Sequence, residues 1–144
     1  MYLVYEGPDA VGKTTTRKLV EKQRDGKDVV LDRFIGSNIV YGRVFNRYSK
    51  EEISNLYLDD CNFVFTFYPV LIYLYAPAEV LFERIKKDKH KKISVDLLRK
   101  TILEYDLYFD RSFCRNKIKI NTNQFLQNKV VDQILKFLKD VENK

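Results

Sequence analysis

The sequence predicts an α/β fold, a parallel sheet with helices on both faces, and two observations support this. Short apolar runs that suit buried strands alternate with longer stretches of helix-forming residues along the chain. Right-handed crossovers between such strands place helices on both faces of a parallel sheet. A chain of 144 residues suits one compact domain better than two, so we expect a single domain covering 1–144.

The first strand and helix are marked by a glycine-containing segment between them. An apolar run over 2–6 predicts a buried strand. Good helix formers predict a helix over 13–23, with Leu19 and Val20 on its inner face. The Asp25-Gly26 pair ends that helix. Strand, glycine loop and helix therefore follow in that order.

The next part of the chain predicts a second buried strand and two helices. Residues 28–32 form an apolar run that ends on a carboxylate, and a helix is expected over 38–47. Ser49 and Glu52 have the spacing of a capping box, which predicts another helix start. The end of this helix stays open, because 62–67 alternates like a strand and also suits the last turns of a buried helix.

The second half continues the alternation. Residues 70–75 predict a third strand, and Pro77 opens a helix that runs to Ile85. Ser94 can cap a long amphipathic helix, 118–121 predict a fourth strand, and 129–141 a final helix. The inner face of the helix after Ser94 should carry Leu97, Leu98, Ile102, Tyr105 and Phe109.

A phosphate-binding motif lies between the first strand and the first helix. Residues 7–14, Gly-Pro-Asp-Ala-Val-Gly-Lys-Thr, satisfy G-x-x-x-x-G-K-[ST]. The glycines allow backbone N–H groups to surround a phosphate, and the helix adds its positive N-terminal end. Lys13 should contact the β and γ phosphates of ATP, and the Thr14 hydroxyl should ligate Mg²⁺. The predicted ATP-binding residues are Gly7, Asp9, Ala10, Val11, Gly12, Lys13, Thr14 and Thr15.

A second motif, Asp32-Arg33, follows the second strand. Asp32 can hold Mg²⁺ directly or through water, and Arg33 can face an anionic acceptor or the transferred group. We therefore predict both as catalytic residues together with Lys13. Nucleotide binding alone would not distinguish a kinase from a switch or a motor, so this second motif favours phosphoryl transfer.

These motifs together resemble thymidylate kinase. Residues 6–9, Glu-Gly-Pro-Asp, precede 12–15, Gly-Lys-Thr-Thr, and 32–41 match D-R-[YF]-x-x-S-x-x-x-Y throughout. The strand over 71–74 and the following Pro77, Val80 and Glu83-Arg84 are also similar to that family. The resemblance implies a three-layer P-loop kinase fold with about four parallel strands in the order 2-1-3-4.

The resemblance also implies roles for individual residues. Arg33 would contact the phosphate of the acceptor, Asp9 would approach its sugar hydroxyl, and Phe34, Ser37 and Tyr41 would line its pocket. A short lid around 86–93 would close over ATP. Its expected catalytic cations are Arg84 and Lys87, with Lys86, Lys89, Lys91 and Lys92 as alternates. Asp96 resembles the acidic residue with which related deoxynucleoside kinases hold the sugar.

The chain departs from the family pattern in three places. Only residues 16–32 separate Thr15 from Arg33, so the family's R-E-P-G-G-T-like segment, with its acceptor arginine and its aromatic, is missing. Gly42 stands where a glutamine follows the pocket tyrosine, and Ala10 where some members carry a catalytic arginine. The lid must then supply the catalytic cation, and Arg43 or Arg47 could replace the lost acceptor arginine.

The predicted function is an ATP- and Mg²⁺-dependent phosphotransferase, a thymidylate kinase-like deoxynucleoside monophosphate kinase. A deoxynucleoside kinase stays open, because Asp32 or Glu6 could serve as the base that a neutral hydroxyl needs. The net charge of +6 also keeps a kinase for the 5′ end of a polynucleotide open. The remaining alternative is a degenerate ATP-binding module. A guanine-nucleotide switch is disfavoured, because no D-x-x-G follows the second strand.

Partners and compartment follow from what the sequence carries. Its longest apolar run, 63–75, is shorter than the ~20 residues that span a bilayer, and no secretory leader is visible. We expect a cytoplasmic protein, in the host cytoplasm if the compact kinase is viral, with a small nucleotide or nucleoside as acceptor. Homodimer formation is left open. Cys61 and Cys114 are expected to stay reduced, and His90 to be exposed.

Overall fold

A computed structural model describes residues 1–87 and 92–144. The strands and helices alternate as the sequence predicts. In chain order they are β1 (Tyr2–Glu6), α1 (Lys13–Arg24), β2 (Val29–Asp32), α2 (Ile35–Val44), α3 (Lys50–Phe67), β3 (Val70–Tyr75), α4 (Ala78–Lys86), α5 (Val95–Arg111), β4 (Asn116–Asn121) and α6 (Gln127–Glu142).

The four strands form one parallel sheet in the order β2-β1-β3-β4, which confirms the predicted fold class and strand order. In the register, Tyr5 lies opposite Asp32 on β2 and opposite Ile72 on β3. Because all strands run the same way, their carboxyl ends meet at one edge of the sheet. The phosphate loop follows β1 at this edge, with Asp32 at the end of the neighbouring β2.

Two hydrophobic cores lie on opposite faces of the sheet, because successive side chains of a strand point to opposite faces. Leu3, Tyr5 and Ile72 pack with Val20 of α1 and Ile134 of α6. The residues between them face the other way: Val4, Leu71 and Tyr73 pack with residues of α2, α3 and α5, among them Ile39, Val64 and Tyr105. The molecule therefore has the three layers that the sequence predicts.

Two burial predictions are wrong. β2 is an edge strand with one neighbour, so it is not buried, and Val29 is 49% exposed. Leu19 is 38% exposed, whereas Val20 beside it is fully buried. A helix turns by 100° per residue, so two consecutive residues cannot both point at the sheet.

The helix after β2 begins and ends three residues earlier than predicted, at Ile35 and Val44. The start differs because the buried Glu6 carboxylate accepts hydrogen bonds from the backbone N–H groups of Phe34 and Ser37. The end differs because Asn46 adopts a left-handed conformation with φ of 50°. The first of these causes is a contact between distant parts of the chain, which sequence periodicity does not contain.

The ambiguous segment 62–67 is helical and belongs to α3. The capping box at its start is confirmed, since Glu52 N donates to Ser49 Oγ and Ser49 N donates to Glu52 Oε1, both at 3.1 Å. Tyr68 ends the helix in a left-handed conformation. Ser94 caps α5 as predicted, accepting from the N–H of Leu97 at 3.1 Å.

A search of the described residues finds no helix that is long and apolar enough to cross a membrane. The predicted lid around 86–93 is described only in part. Lys86 and Lys87 are exposed at the end of α4, while Lys89, His90 and Lys91 lie outside the described residues.

Candidate functional site

The phosphate loop has a backbone that side-chain-bearing residues would not readily adopt. Gly7 has φ of 150°, and a Cβ built on it would lie 2.3 Å from the carbonyl oxygen of Leu74 on β3. Ala10 and Gly12 also have positive φ, at 62° and 88°. Such alternation turns consecutive N–H groups inward and makes a cradle for an anion. Gly12 then begins α1, whose N-terminal end faces the same space.

Lys13 is buried and follows directly on Gly12 of the loop. Its Nζ is 3.4 Å from the carbonyl oxygen of Gly7 and 3.4 Å from Oδ1 of Asp32. Burial lowers the pKa of the ammonium, and the nearby Arg33 charge acts in the same direction, while Asp32 and Glu6 oppose it. A bound phosphate would add a second anionic partner to the Asp32 carboxylate and would further stabilise this desolvated cation.

Two oxygen groups at the loop fit a magnesium ion. Thr14 is exposed in the first turn of α1, and the Asp32 side chain is 29% exposed beside Lys13. Arg17, which the sequence analysis did not single out, approaches Asp32 with Nε 3.5 Å from Oδ2. Among residues 1–87 and 92–144, no three His, Cys, Asp or Glu side chains cluster as metal ligands. Magnesium in kinases keeps waters and phosphate oxygens as ligands, so one or two protein oxygens suffice.

Arg33 lies at a sharp corner between β2 and α2. Its φ is 55°, a left-handed conformation that costs an arginine about 1–2 kcal/mol. Its own N–H donates to the carbonyl of Tyr5 at 3.0 Å. The guanidinium pairs with the carboxylate of Asp9 and lies 5.5 Å from the centre of the Tyr41 ring. The corner therefore turns the Arg33 side chain toward the phosphate loop and α2.

A cavity of about 380 Å³ lies on one side of the phosphate loop. We call it the donor cavity. Its walls are the loop itself, Arg84 of α4, the segment after β4 and the start of α6. The lining residues are Ala10, Val11, Gly12, Thr16, Arg84, Thr122, Phe125, Leu126, Gln127 and Val130.

A second cavity, of about 250 Å³, lies on the other side of the loop. We call it the acceptor cavity. Arg33 and Arg47 bring positive charge to it, Asp9 brings a carboxylate, and Tyr41 and Phe45 form a stacked aromatic wall with ring centres 6.1 Å apart. Pro8 and four α5-side residues, Ile93, Leu97, Leu98 and Thr101, complete the lining.

Three predicted acceptor residues do not line this cavity. Phe34 packs against Phe63 of α3 with ring centres 4.7 Å apart. Ser37 is buried and its hydroxyl bonds Glu6 and, at 2.9 Å, the Tyr105 hydroxyl. Asp96 lies largely exposed in the first turn of α5 and pairs with Arg99 at 3.1 Å. Tyr41, Arg33 and Asp9 are the predicted acceptor residues that the fold brings together.

The predicted lid cations differ in position. Arg84 reaches the phosphate loop, where its Nη1 donates to the carbonyl oxygen of Ala10 at 3.0 Å. Lys87 caps the end of α4 and is exposed, and Lys86 pairs with Glu83 at 3.8 Å. Among the described candidates, Arg84 is thus the cation placed at the loop.

Sequence reasoning missed residues in both cavities. Phe45 follows Tyr41 by four positions, a spacing that puts two side chains on one helix face and could have indicated it. Phe125 and Gln127 follow the fourth strand, and loops at the carboxyl ends of parallel strands are the usual place for ligands in such sheets. Of the two arginines considered as replacements, Arg47 lines the acceptor cavity, whereas Arg43 pairs with Glu104 at 2.7 Å.

Comparison with solved structures shows the same fold in nucleotide-binding proteins. The YorR protein of Bacillus subtilis, in complex with phosphorylated GDP, matches with a TM-score of 0.77 at 18% identity, over 99% of this chain and 98% of that chain. Deoxyadenosine kinase from M. mycoides, with products dCMP and dCDP bound, matches with a TM-score of 0.70 at 13% identity, over 97% and 100% of the two chains. The same kinase with bound dATP gives a TM-score of 0.69 at 13% identity, over 96% and 100%.

Sequence comparison adds no assignment: no protein-family model matches the chain, and a search of curated proteins finds no match. At these low identities the structural likeness establishes the shared fold, which agrees with the three-layer α/β architecture that the sequence implies.

Proposed function

We propose that this protein is an ATP- and Mg²⁺-dependent kinase that phosphorylates a deoxynucleoside monophosphate. The observation that carries the proposal is the position of two cavities on opposite sides of one phosphate loop. Ala10, Val11 and Gly12 face the donor cavity, whereas Pro8 and Asp9 face the acceptor cavity. A donor and an acceptor bound in these cavities would meet at the loop, as phosphoryl transfer requires.

The residues at the loop have distinct tasks in this reaction. Backbone N–H groups over 9–13 and the Lys13 ammonium bind the β and γ phosphates, while Thr14 and Asp32 would hold the metal directly or through water. A magnesium ion held there would supply positive charge against the phosphates. Arg84, already at the Ala10 carbonyl, is placed to follow the transferred group when its hydrogen bond to the loop is exchanged for one to phosphate.

Two arginines make a phosphorylated acceptor the better candidate. Arg33 and Arg47 line the same cavity, and Arg47 lies over the Phe45 ring with 4.9 Å between its guanidinium and the ring centre. The segment that normally carries the family's acceptor arginine and aromatic residue is missing here. We infer that Arg47 and Phe45, at the end of α2, replace them. A thymidylate kinase-like acceptor is the finer form of this proposal.

A deoxynucleoside kinase is the second candidate, and the pairing of Asp9 with Arg33 favours it. Such an enzyme needs a carboxylate beside the acceptor hydroxyl to take its proton. Asp9 lines the acceptor cavity and is 34% exposed. Glu6, which the sequence left open for this role, is fully buried and faces Phe34 and Ser37, so it cannot reach an acceptor.

The test is a panel of acceptors with labelled ATP and Mg²⁺: deoxynucleoside monophosphates, deoxynucleosides and 5′-hydroxyl oligonucleotides. We expect the highest kcat/KM for a monophosphate. A higher kcat/KM for deoxynucleosides would favour the second candidate, a deoxynucleoside kinase. Preference for oligonucleotides, with KM rising steeply with salt, would indicate a polynucleotide kinase. Phosphorylation of none of them would contradict the kinase proposal and favour a nucleotide-binding module.

A further inference from the structure

Glu6 is a carboxylate with no exposed surface at the end of β1, directly before the phosphate loop. It accepts a hydrogen bond from Phe34 N at 3.0 Å, one from Ser37 N at 3.2 Å, and one from the Ser37 hydroxyl. Burial raises the pKa of this carboxyl, and these hydrogen bonds oppose the rise. All three donors lie just after Arg33, so the carboxylate holds the segment that begins α2.

This segment needs such a partner because Arg33 stands in a conformation that arginine disfavours. A left-handed residue persists where its surroundings fix it from both sides. On one side, the Arg33 N–H donates to the Tyr5 carbonyl of β1. On the other side, the next residue, Phe34, is bonded to Glu6. β1 thus holds both ends of the turn that directs the Arg33 side chain.

We propose that Glu6 is a positioning residue for Arg33. It fixes the left-handed corner after β2, so that the guanidinium stays between Asp9 and Tyr41 in the acceptor cavity. The inference deepens the proposed function, on which its kinetic part rests.

The packing around Glu6 leaves little freedom for another arrangement. A Cβ on Gly36 would lie 2.9 Å from Glu6 Oε1 and 2.5 Å from the Tyr108 ring, so the backbone approaches the carboxylate as closely as glycine permits. The Ser37 hydroxyl, which is bonded to Glu6, is also hydrogen-bonded to the Tyr105 hydroxyl at 2.9 Å. The Tyr105 ring in turn contacts the Tyr41 ring edge-on, with 6.0 Å between the ring centres. Two routes, through the backbone and through Tyr105, therefore connect Glu6 to the surroundings of Arg33.

The first experiment needs no activity. Arginine side-chain ¹⁵N spectra of the unliganded protein should show a slowly exchanging Arg33 signal, assigned by its loss in Arg33→Lys. In Glu6→Gln, which keeps the size but weakens the bonds from Ser37 and Phe34, that signal should shift and broaden. Asp60→Asn is the control, since Asp60 is another buried carboxylate, which accepts a hydrogen bond from the Tyr108 hydroxyl at 3.0 Å and makes none to the segment after Arg33. An Arg33 signal unchanged in Glu6→Gln would overturn the proposal whether or not the protein is a kinase.

The second experiment is a double-mutant cycle on kcat/KM for the acceptor. Misplacement of a binding group by about 1 Å can cost roughly 10²-fold, so Glu6→Gln should lower kcat/KM by about 10–100-fold. In the Arg33→Ala background the same change should cost no more than about twofold, because its effect acts through Arg33. Asp60→Asn should give the same factor in both backgrounds.

A purely structural role for Glu6 would give equal losses in both backgrounds and would overturn the proposal. If Glu6→Gln does not fold, Ser37→Ala and Tyr105→Phe remove single hydroxyls of the same network, and the same loss of additivity is expected for each. Additive losses for both of these variants would also overturn it.

Discussion

The two sides of the phosphate loop are built by different means. On the donor side, the anion site itself is made by a continuous stretch, 7–14, through its backbone torsions and helix start, and α4, the segment after β4 and α6 add the other walls of the donor cavity. The acceptor side is assembled from parts that are distant in the chain: Asp9 after β1, Arg33 after β2, Arg47 after α2 and Leu97 on α5. Under the proposed function, the difference teaches that a continuous motif can make the donor-phosphate site while the acceptor site is assembled from neighbouring elements.

The same contrast appears in the charges. Lys13 is desolvated and its contact with Asp32 is long, at 3.4 Å, whereas the more exposed Arg33 pairs closely with Asp9 and lies on the Tyr41 ring. A phosphorylated acceptor must therefore compete with Asp9 for Arg33. We expect donor-side substitutions to abolish transfer for every acceptor, and acceptor-side substitutions to change which acceptor is used.

The largest expected effect is that of Lys13→Ala. Loss of the cation at the β and γ phosphates should lower kcat by about 10²–10³-fold or more for all acceptors, as loss of a transition-state donor commonly does. Labelled-ATP assays measure it, with Lys18→Ala, an exposed lysine of the same helix, as control. Transfer at the normal rate in Lys13→Ala would show that the loop does not bind the donor phosphates.

The next effect distinguishes acceptors. Arg33→Ala and Arg47→Ala should each raise KM for a deoxynucleoside monophosphate by about 10–100-fold, since a hydrogen bond to a charged group contributes about 1.5–3 kcal/mol. Nucleosides should lose less. Arg43→Ala is the control, because Arg43 pairs with Glu104 and does not line the acceptor cavity. Equal losses for both acceptors would remove Arg33 from the role of phosphate ligand.

A stability comparison tests how rigid the donor side is. Gly7→Ala would place a Cβ against the Leu74 carbonyl of β3, so we expect a loss of about 3 kcal/mol in the free energy of unfolding. A Cβ on Gly26 would meet no atom within 4 Å, and the φ of Gly26 is 66°. Gly26→Ala should therefore lower the free energy of unfolding by only about 1 kcal/mol, the cost of the left-handed backbone. Urea unfolding of the two variants measures the difference. Equal losses of unfolding free energy in the two variants would indicate that the phosphate loop can move away from the Leu74 carbonyl.

The last effect concerns packing behind the acceptor side. Burial raises the pKa of Asp60 from 3.8 to about 6, with the Tyr108 hydrogen bond opposing the rise. The stability that this group contributes is therefore fully present below pH 3.8 and is lost as pH rises to about 6. Each pKa unit corresponds to about 1.4 kcal/mol, so the wild type should lose up to about 3 kcal/mol relative to Asp60→Asn across that window. Parallel pH profiles in chemical denaturation would show that Asp60 is not desolvated.

Much of the molecule was determined by the sequence itself. Most of the elements, the two caps and the phosphate loop were predicted, because each depends on residues that are near one another in the chain or on a period of 2 or 3.6. The strand order was predicted from the resemblance to a known family. The resemblance assigned Asp9, Arg33 and Tyr41 to one acceptor pocket, and the three residues do line one cavity.

The tertiary structure alone decided the rest. Ser37 could belong to the acceptor pocket or to the interior, and a buried carboxylate thirty-one positions away in the chain decided for the interior. The same carboxylate accepts a hydrogen bond from the Phe34 N–H, and the Phe34 ring packs against Phe63 of α3 rather than in the acceptor cavity. Which of Arg43 and Arg47 faces the cavity was set by Glu104 on α5, a partner that no local pattern reveals. The local sequence therefore determined the phosphate loop, and long-range packing determined which residues surround it on the acceptor side.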